Sequence, residues 1–151
     1  MTSPCDGNSR LFADSIVVGT AYELGTYRVT EAEIIEFAAR WDPQDFHVDP
    51  VAAQDGHFGE VIASGVHTLA IFQRLAVEAV YRRWAVIGGR RLSTIEFLSP
   101  VRPGMTLSGA LVIKEVEPEG STRSLVTAVG TLSAADQPVF TIVMQIYLSR
   151  R

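Results

Sequence analysis

The hydrophobic positions follow helical spacing in much of the first half of the chain and strand-like spacing in much of the second half. Residues 21–29 alternate weakly and are a candidate first strand. Thr30 and Glu33 then have the spacing of a capping box, which predicts the start of a helix. This helix is expected to end at Asp42, because a residue that precedes proline disfavours the α conformation. Its predicted apolar face consists of Ile34, Phe37, Ala38 and Trp41.

Two further helices are predicted before the later strands begin. Residues 44–50 are expected to form a loop, and residues 50–54 a short helix that is capped by Asp49. A long helix is predicted from about Gly65 to Trp84, with apolar side chains over most of its surface. Such a helix is expected to be buried on nearly all sides. The side chains expected in solvent are Arg74, Glu78, Arg82 and Arg83.

The second half of the chain is rich in residues that favour strands. Strands are predicted over residues 92–97, 106–115, 124–133 and 139–148. The short segments between them have turn-forming residues, and consecutive strands with short connections predict an antiparallel sheet. The predicted fold class is therefore α+β, with the sheet wrapped around the long helix.

The length of 151 residues fits one domain. Residues 11–151 are predicted to form that domain, and residues 1–10 a flexible polar leader. Cys5 is the only cysteine, so it is expected to be incidental and indicates no oxidising compartment. The leader has no apolar run of the secretory type, and the apolar runs elsewhere are too short to cross a membrane. A cytoplasmic location is expected.

Charge and motifs narrow the function further. The net charge of -4 does not fit a nucleic-acid binder. The three histidines, His47, His57 and His67, lack metal-ligand spacing, so no metal site is expected. The glycine-rich phosphate-binding motifs and the Gly-x-Ser-x-Gly motif are also missing from the sequence. His67, near the start of the long helix, is interpreted as a core residue, with a place in a site as the alternative.

The first candidate for chemistry is an acid and a histidine in the predicted loop. Asp42 and His47 lie five positions apart, and a loop can turn both side chains toward one water molecule. Such a pair can move protons to and from a substrate. The alternative is structural, with Asp42 ending the helix and His47 packed against its neighbours.

The second candidate is the segment that begins the long helix. Backbone amides at a helix N-terminus have no partner within the helix and lie at its positive end. Gly65 lets a ligand approach this backbone closely, which suits a thioester oxygen that gains negative charge. The alternative is that Ser64 only caps the helix and Gly65 only permits close packing.

Together these segments resemble the MaoC-like dehydratase family. The family loop is approximately Asp-x-Asn-Pro-Leu/Ile-His-x-Asp, and its helix start approximately Ile-x-His-Gly-Met. A third segment, aromatic-x-x-Pro-Val-x-x-Gly-Asp-Thr-Leu, is similar to residues 97–107 here. Two departures are Gln44-Asp45 in place of Asn-Pro, and Ser64 in place of the histidine. The matching residues in this chain are Asp42-Pro43-Gln44-Asp45-Phe46-His47-Val48-Asp49 and Ile62-Ala63-Ser64-Gly65-Val66.

The resemblance implies a hotdog domain that hydrates a 2-enoyl thioester to the (R)-3-hydroxyacyl form, or reverses that reaction. It implies that Asp42 and His47 share a catalytic water and that the Gly65 amide binds the thioester oxygen. The coenzyme A or carrier-protein pantetheine is then part of the substrate, and no metal or redox cofactor is required. A homodimer or higher oligomer is expected. The candidates for substrate contact are Gln44, Ser64, Phe46, Arg90 and Arg91. The two arginines are expected to bind the phosphates of coenzyme A or pantetheine.

Other functions remain open at this point. A hotdog thioesterase would hydrolyse the thioester with a carboxylate and water. A non-catalytic subunit would bind an acyl thioester or support a related chain. The sequence also leaves open which aromatic side chains line the acyl pocket, among them Trp41, Phe46, Phe58 and Phe72.

Overall fold

The computed structural model describes residues 9–151; the predictions for Cys5 and most of the leader fall outside this range. Short 3₁₀ turns lie at Ala13–Ser15 and Tyr81–Arg83. The helices and strands are β1 (Ala21–Arg28), α1 (Glu31–Trp41), α2 (Asp45–Val48), α3 (Pro50–Gln54), α4 (Gly65–Ala79), β2 (Val86–Phe97), β3 (Thr106–Glu119), β4 (Arg123–Ala134) and β5 (Gln137–Ser149).

The five strands form one antiparallel sheet in the order β1-β3-β4-β5-β2. β4 and β5 are joined by a tight turn in which Ala135 and Asp136 have positive φ angles of 48° and 64°, as a two-residue hairpin requires. The four later strands confirm the sequence prediction and are longer than expected. The largest difference is in β2, which begins at Val86 rather than at residue 92.

Helix α4 packs against one face of this sheet, which confirms the predicted α+β class. The contact depends on a glycine in β4: a Cβ atom on Gly130 would lie 2.2 Å from Cζ of Phe72. Phe72 is fully buried in α4 and also packs against Phe140 of β5, with ring centroids 5.9 Å apart. Because Gly130 has no side chain, the helix lies close enough to bury this ring.

Two details of the helical region differ from the predictions. α4 ends at Ala79 and not at Trp84, because Val80 leaves the helical conformation (φ −129°, ψ −61°). One side of α4 is in solvent, with Val66 57% exposed, so the helix is not buried on nearly all sides. Part of the predicted loop 44–50 is the one-turn helix α2.

β2 is an edge strand with an apolar surface. It pairs with β5 on one side and with no strand of residues 9–151 on the other. Large apolar side chains in solvent along β2 and just after it are Ile87, Leu92, Ile95, Phe97 and Leu98.

Candidate active site

Asp42 is held at the end of α1 by local sequence features. The capping box at the start of α1 is present, with Thr30 accepting from the amide of Glu33. At the other end the Asp42 amide donates to the Ala38 carbonyl at 2.8 Å, so Asp42 is still tied to the last turn. Its φ of −156° lies outside the helical region, as expected of the residue before Pro43. The backbone therefore leaves the helix at the residue that carries the carboxylate.

His47 lies in α2 with its imidazole ring buried (4% exposed). Nδ1 is 2.6 Å from the Ile62 carbonyl oxygen. Because a carbonyl only accepts, Nδ1 carries a proton and donates it. Nε2 is then the nitrogen available for proton transfer, and it lies 3.4 Å from Oδ2 of Asp42. The predicted pair is brought together by this geometry.

Two neutral donors stabilise the Asp42 carboxylate. The Ser64 hydroxyl donates to Oδ2 at 2.7 Å, and the Gln44 amide donates to Oδ1 at 2.8 Å. These bonds, the one from Ser64 first, lower the pKa of Asp42 below 3.8, and the nearby His47 acts in the same direction. Desolvation opposes the change because the side chain is only 23% exposed. Asp42 is therefore ionised at neutral pH.

Ser64 and Gln44 are predicted to contact the substrate, and in the structure both donate to Asp42 while Gln44 also lines the cleft described below. Ser64 is completely buried, and its hydroxyl also accepts from the Val66 amide at 3.3 Å as the N-cap of α4. The N-cap interpretation of Ser64 is confirmed, and its contact with the substrate stays a prediction. Ser64 connects the start of α4 directly to the carboxylate at the end of α1.

Gly65 is the first residue of α4, so its N–H has no partner within the helix. The glycine is also required for packing, since a Cβ atom here would lie 2.6 Å from Cζ of Phe97. The aromatic ring of Phe97, which is 57% exposed, covers this side of Gly65. Both interpretations of Gly65, a close approach for a ligand and close packing, are compatible with this arrangement.

These groups face one open cleft of about 420 Å³. Phe46 and Phe58 form an aromatic wall, with the Phe46 ring 4.1 Å from that of His47 and 6.0 Å from that of Phe58, centroid to centroid. A second wall is formed by residues 97–101, which stood out in the sequence only through their resemblance to a family segment. The residues lining the cleft are Asp42, Gln44, Phe46, His47, Phe58, Ile62, Ala63, Gly65, Thr68, Phe97, Leu98, Ser99, Pro100 and Val101.

Backbone hydrogen bonds fix the two walls to the segment before α4. The Ile62 amide donates to the Phe46 carbonyl at 3.1 Å, and the Ala63 amide donates to the Val101 carbonyl at 2.9 Å. These two hydrogen bonds join segments far apart in sequence and fix the distance between the two walls of the cleft. Sequence patterns give no signal for such bonds, which explains why residues 97–101 were not predicted as part of the site.

Several predicted residues lie elsewhere. Arg90 and Arg91 are exposed on β2 and line a different cleft, so within one chain they do not reach the Asp42 site. Of the aromatic candidates for the acyl pocket, Phe72 is enclosed in the core, and Trp41 lies in a cleft beside α1. His67 is buried, as predicted for a core residue.

Two further features of residues 9–151 concern metals and membranes. Within this range no three His, Cys, Asp or Glu side chains are grouped so that they could hold a metal ion. No helix in the described part of the chain has the length and apolar character needed to cross a bilayer.

Comparison with known proteins shows the family. A family model described as the MaoC like domain matches residues 15–135. The structure of the MaoC-like dehydratase from Rhodospirillum rubrum is 30% identical, with a TM-score of 0.83, covering 93% of this chain and 98% of that one. The uncharacterised protein YdeM of Bacillus subtilis is 28% identical over 91% of this chain and 98% of its own length.

A solved (R)-hydratase has the same fold. R-hydratase PhaJ1 from Pseudomonas aeruginosa is 21% identical, with a TM-score of 0.72, covering 94% of this chain and 91% of that one. This likeness extends over the sheet and the long helix that define the hotdog fold. The chain belongs to the MaoC-like domain family of hotdog proteins, whose structural neighbours are hydratases and dehydratases.

Proposed function

We propose that this protein hydrates a 2-enoyl thioester to a 3-hydroxyacyl thioester and catalyses the reverse dehydration. The observation that carries the proposal is the position of the Asp42 carboxylate, 3.4 Å from His47 Nε2, in the cleft that Gly65 also lines. The resemblance to MaoC-like dehydratases and the fold shared with an (R)-hydratase support this reaction and favour the (R) product.

In the proposed hydration, Asp42 is the base. Its carboxylate takes a proton from a water molecule held between it and His47, and the water oxygen bonds to the β-carbon. The electrons of the carbon–carbon double bond move toward the thioester carbonyl, whose oxygen becomes negative. The Gly65 N–H at the positive end of α4 stabilises that oxygen.

His47 is the acid in the same step. Protonated Nε2 delivers a proton to the α-carbon, which completes the addition of water across the double bond. Asp42 is then protonated and His47 neutral, and one proton must return from the carboxyl to Nε2. The 3.4 Å separation of Oδ2 and Nε2 permits this return directly or through one water. Dehydration uses the same steps in reverse.

The roles follow from the partners of each group. Two donors stabilise the ionised carboxylate, so Asp42 carries no proton at neutral pH and has a free site for one. The bond from His47 Nδ1 to the Ile62 carbonyl orients the ring and stabilises an imidazolium when Nε2 is also protonated. The proposed hydration therefore starts from an ionised Asp42 and uses a proton carried on His47 Nε2.

The test is hydration of crotonyl-CoA by the purified protein, followed as loss of the enoyl absorbance. Asp42→Asn and His47→Gln are each expected to lower kcat by roughly 10²–10⁴-fold, the usual contribution of a positioned acid or base. Asp45→Asn is the matched control, because Asp45 is exposed in the same segment and does not line the cleft. Equal rates for Asp42→Asn and Asp45→Asn would contradict the role of Asp42.

The same assay separates the alternative reactions. If the protein releases free coenzyme A from an acyl-CoA and needs Asp42 to do so, its reaction is thioester hydrolysis and not hydration. Binding of an acyl-CoA without either reaction would identify a non-catalytic acyl-thioester subunit. Coenzyme A and carrier-protein substrates share the pantetheine thioester, so the cleft chemistry does not separate them. Parallel assays with both kinds of thioester, at several acyl chain lengths, show which substrate the protein takes.

We also propose that the protein is a homodimer joined through the free edge of β2. An unpaired strand with apolar side chains is a site for pairing with another strand. Light scattering should give twice the 16.5 kDa chain mass. Leu92→Glu should shift the protein toward monomer, whereas Val17→Glu, on a different exposed apolar residue, should not. A monomeric wild type at micromolar concentration would contradict this assembly.

A further inference from the structure

His67 forms an aromatic contact between the two helices that carry the candidate site. It lies in the first turn of α4, two residues after Gly65, and is only 6% exposed. Its ring stacks on that of Phe37 in α1, with centroids 4.6 Å apart and planes 9° from parallel. Phe37 is five residues before Asp42, so the stack joins the helix that ends at the carboxylate to the helix that begins at the amide.

The stack does not depend on a hydrogen bond from Nδ1. Within residues 9–151, Nδ1 of His67 is buried and has no partner. The cleft beside the ring contains the charged groups Glu33, Glu36 and Arg40 of α1. Glu33 is already bound by the Tyr27 hydroxyl from β1 and by Thr30. The ring contributes to the contact through its flat face, packed on Phe37.

The contact beside the site is otherwise narrow. The start of α4 and the end of α1 are also connected by the Ser64–Asp42 hydrogen bond at 2.7 Å. The hydrogen bond fixes the separation of the two helices at one point, and a contact at a second point adds a constraint on their relative orientation. The stack of His67 on Phe37 is such a second contact, one turn along each helix.

We propose that His67 is a positioning residue, which sets the placement of the Asp42 carboxylate relative to the Gly65 amide by stacking on Phe37. The inference rests on the proposed function, because the two groups act on the same thioester there. Displacement of a reacting group by about 1 Å can lower a rate by two orders of magnitude. A planar ring at position 67 is therefore expected to matter for kcat, while the imidazole nitrogens are not.

Two substitutions separate stacking from simple filling of space. His67→Phe keeps a flat ring on Phe37, and His67→Leu fills a similar volume without a flat ring. In the crotonyl-CoA assay, His67→Leu should lower kcat roughly tenfold with KM within about twofold of wild type, because positioning acts on the transition state. His67→Phe should restore kcat to within about threefold of wild type.

Either of two outcomes would overturn the proposal. Wild-type kcat in a folded His67→Leu protein would mean that any apolar side chain suffices. Loss of kcat in His67→Phe equal to that in His67→Leu, with both proteins folded, would mean that the flat ring is not what matters. Thermal unfolding of each variant shows whether it is folded at the assay temperature.

A second readout does not need activity. Backbone amide NMR should show the Gly65 and Asp42 signals shifted or broadened in His67→Leu and nearly unchanged in His67→Phe. If the wild type hydrates no enoyl thioester, the proposed function fails, and the NMR result alone decides whether His67 positions the two groups. Unchanged Gly65 and Asp42 signals in His67→Leu would overturn the positioning role in either case.

Discussion

Gly65 and Gly130 each lie against a phenylalanine ring, so replacing each glycine with alanine tests the same change beside an exposed ring and beside a buried one. In Gly130→Ala the new Cβ atom would lie 2.2 Å from Cζ of Phe72, and in Gly65→Ala it would lie 2.6 Å from Cζ of Phe97. Neither distance is possible between real carbon atoms, so a ring or the backbone must move. Phe72 is fully buried and Phe97 is 57% exposed, so the two rings differ in their freedom to move.

The expected free energies follow from this difference. At Gly130 the Phe72 ring is enclosed between α4 and the sheet, and overpacking of a core costs about 1–3 kcal/mol. Since no side of this ring is open, we expect a cost of about 3 kcal/mol for Gly130→Ala. At Gly65 the Phe97 ring can turn into solvent, and alanine favours the helix by up to about 1 kcal/mol over glycine. Gly65→Ala is therefore expected to change the free energy of unfolding by less than about 1 kcal/mol.

Urea unfolding of the two variants measures these costs, and the crotonyl-CoA assay measures activity. Gly65→Ala should lower kcat/KM, because the displaced Phe97 ring changes the wall of the cleft next to the Gly65 amide. The double variant Gly65→Ala/Phe97→Ala should recover part of that loss. Equal destabilisation by Gly65→Ala and Gly130→Ala, or no recovery in the double variant, would refute the reasoning about the two rings.

Three other changes have expected outcomes. Ser64→Ala removes a hydrogen bond to the ionised Asp42, so the pKa of Asp42 should rise and the acid limb of the pH profile of kcat/KM should move to higher pH. An unmoved limb would exclude this effect. Burial lowers the pKa of His67 below 6.5, so below pH 6.5 the unfolded chain binds a proton that the folded protein does not. The free energy of unfolding should therefore fall as the pH falls from 6.5. In urea unfolding, His67→Phe should show a smaller fall over that pH range than the wild type. Arg102 donates to the Phe58 carbonyl at 2.8 Å and so supports the aromatic wall of the cleft. Arg102→Met should loosen this wall and raise KM more than it lowers kcat. A fall in kcat larger than the rise in KM would contradict that role.

Much of the candidate site lies in short local patterns, which a sequence shows directly. The capping box at Thr30 and the proline after Asp42 determine where α1 begins and ends, and the structure confirms both. The catalytic roles of Asp42, His47 and Gly65 stay predictions until the assays are done. Their meeting in one cleft is a property of the fold, and the sequence indicated it only through the order of three segments resembling a family.

The errors have a common cause. The predicted continuation of α4 to Trp84 followed from apolar residues that are buried in a different conformation, because Tyr81 and Trp84 enter the core from a 3₁₀ turn. For a similar reason the sequence did not show that Ser64 and Gln44 both donate hydrogen bonds to Asp42. Residue type shows that a group can donate a hydrogen bond, and the acceptor depends on what the fold places beside it.

The sequence by itself determined most of the elements, the α+β class and the resemblance to the family, because hydrophobic spacing, capping residues and turn residues act over a few positions. Only the tertiary structure decided the partners of Asp42, the wall of the cleft at residues 97–101 and the stack of His67 on Phe37. The Ser64–Asp42 hydrogen bond, the cleft wall and the stack each join residues more than 20 positions apart in the chain. Such contacts depend on how the long helix packs on the sheet, and at Gly65 and Gly130 that packing is possible because a side chain is missing.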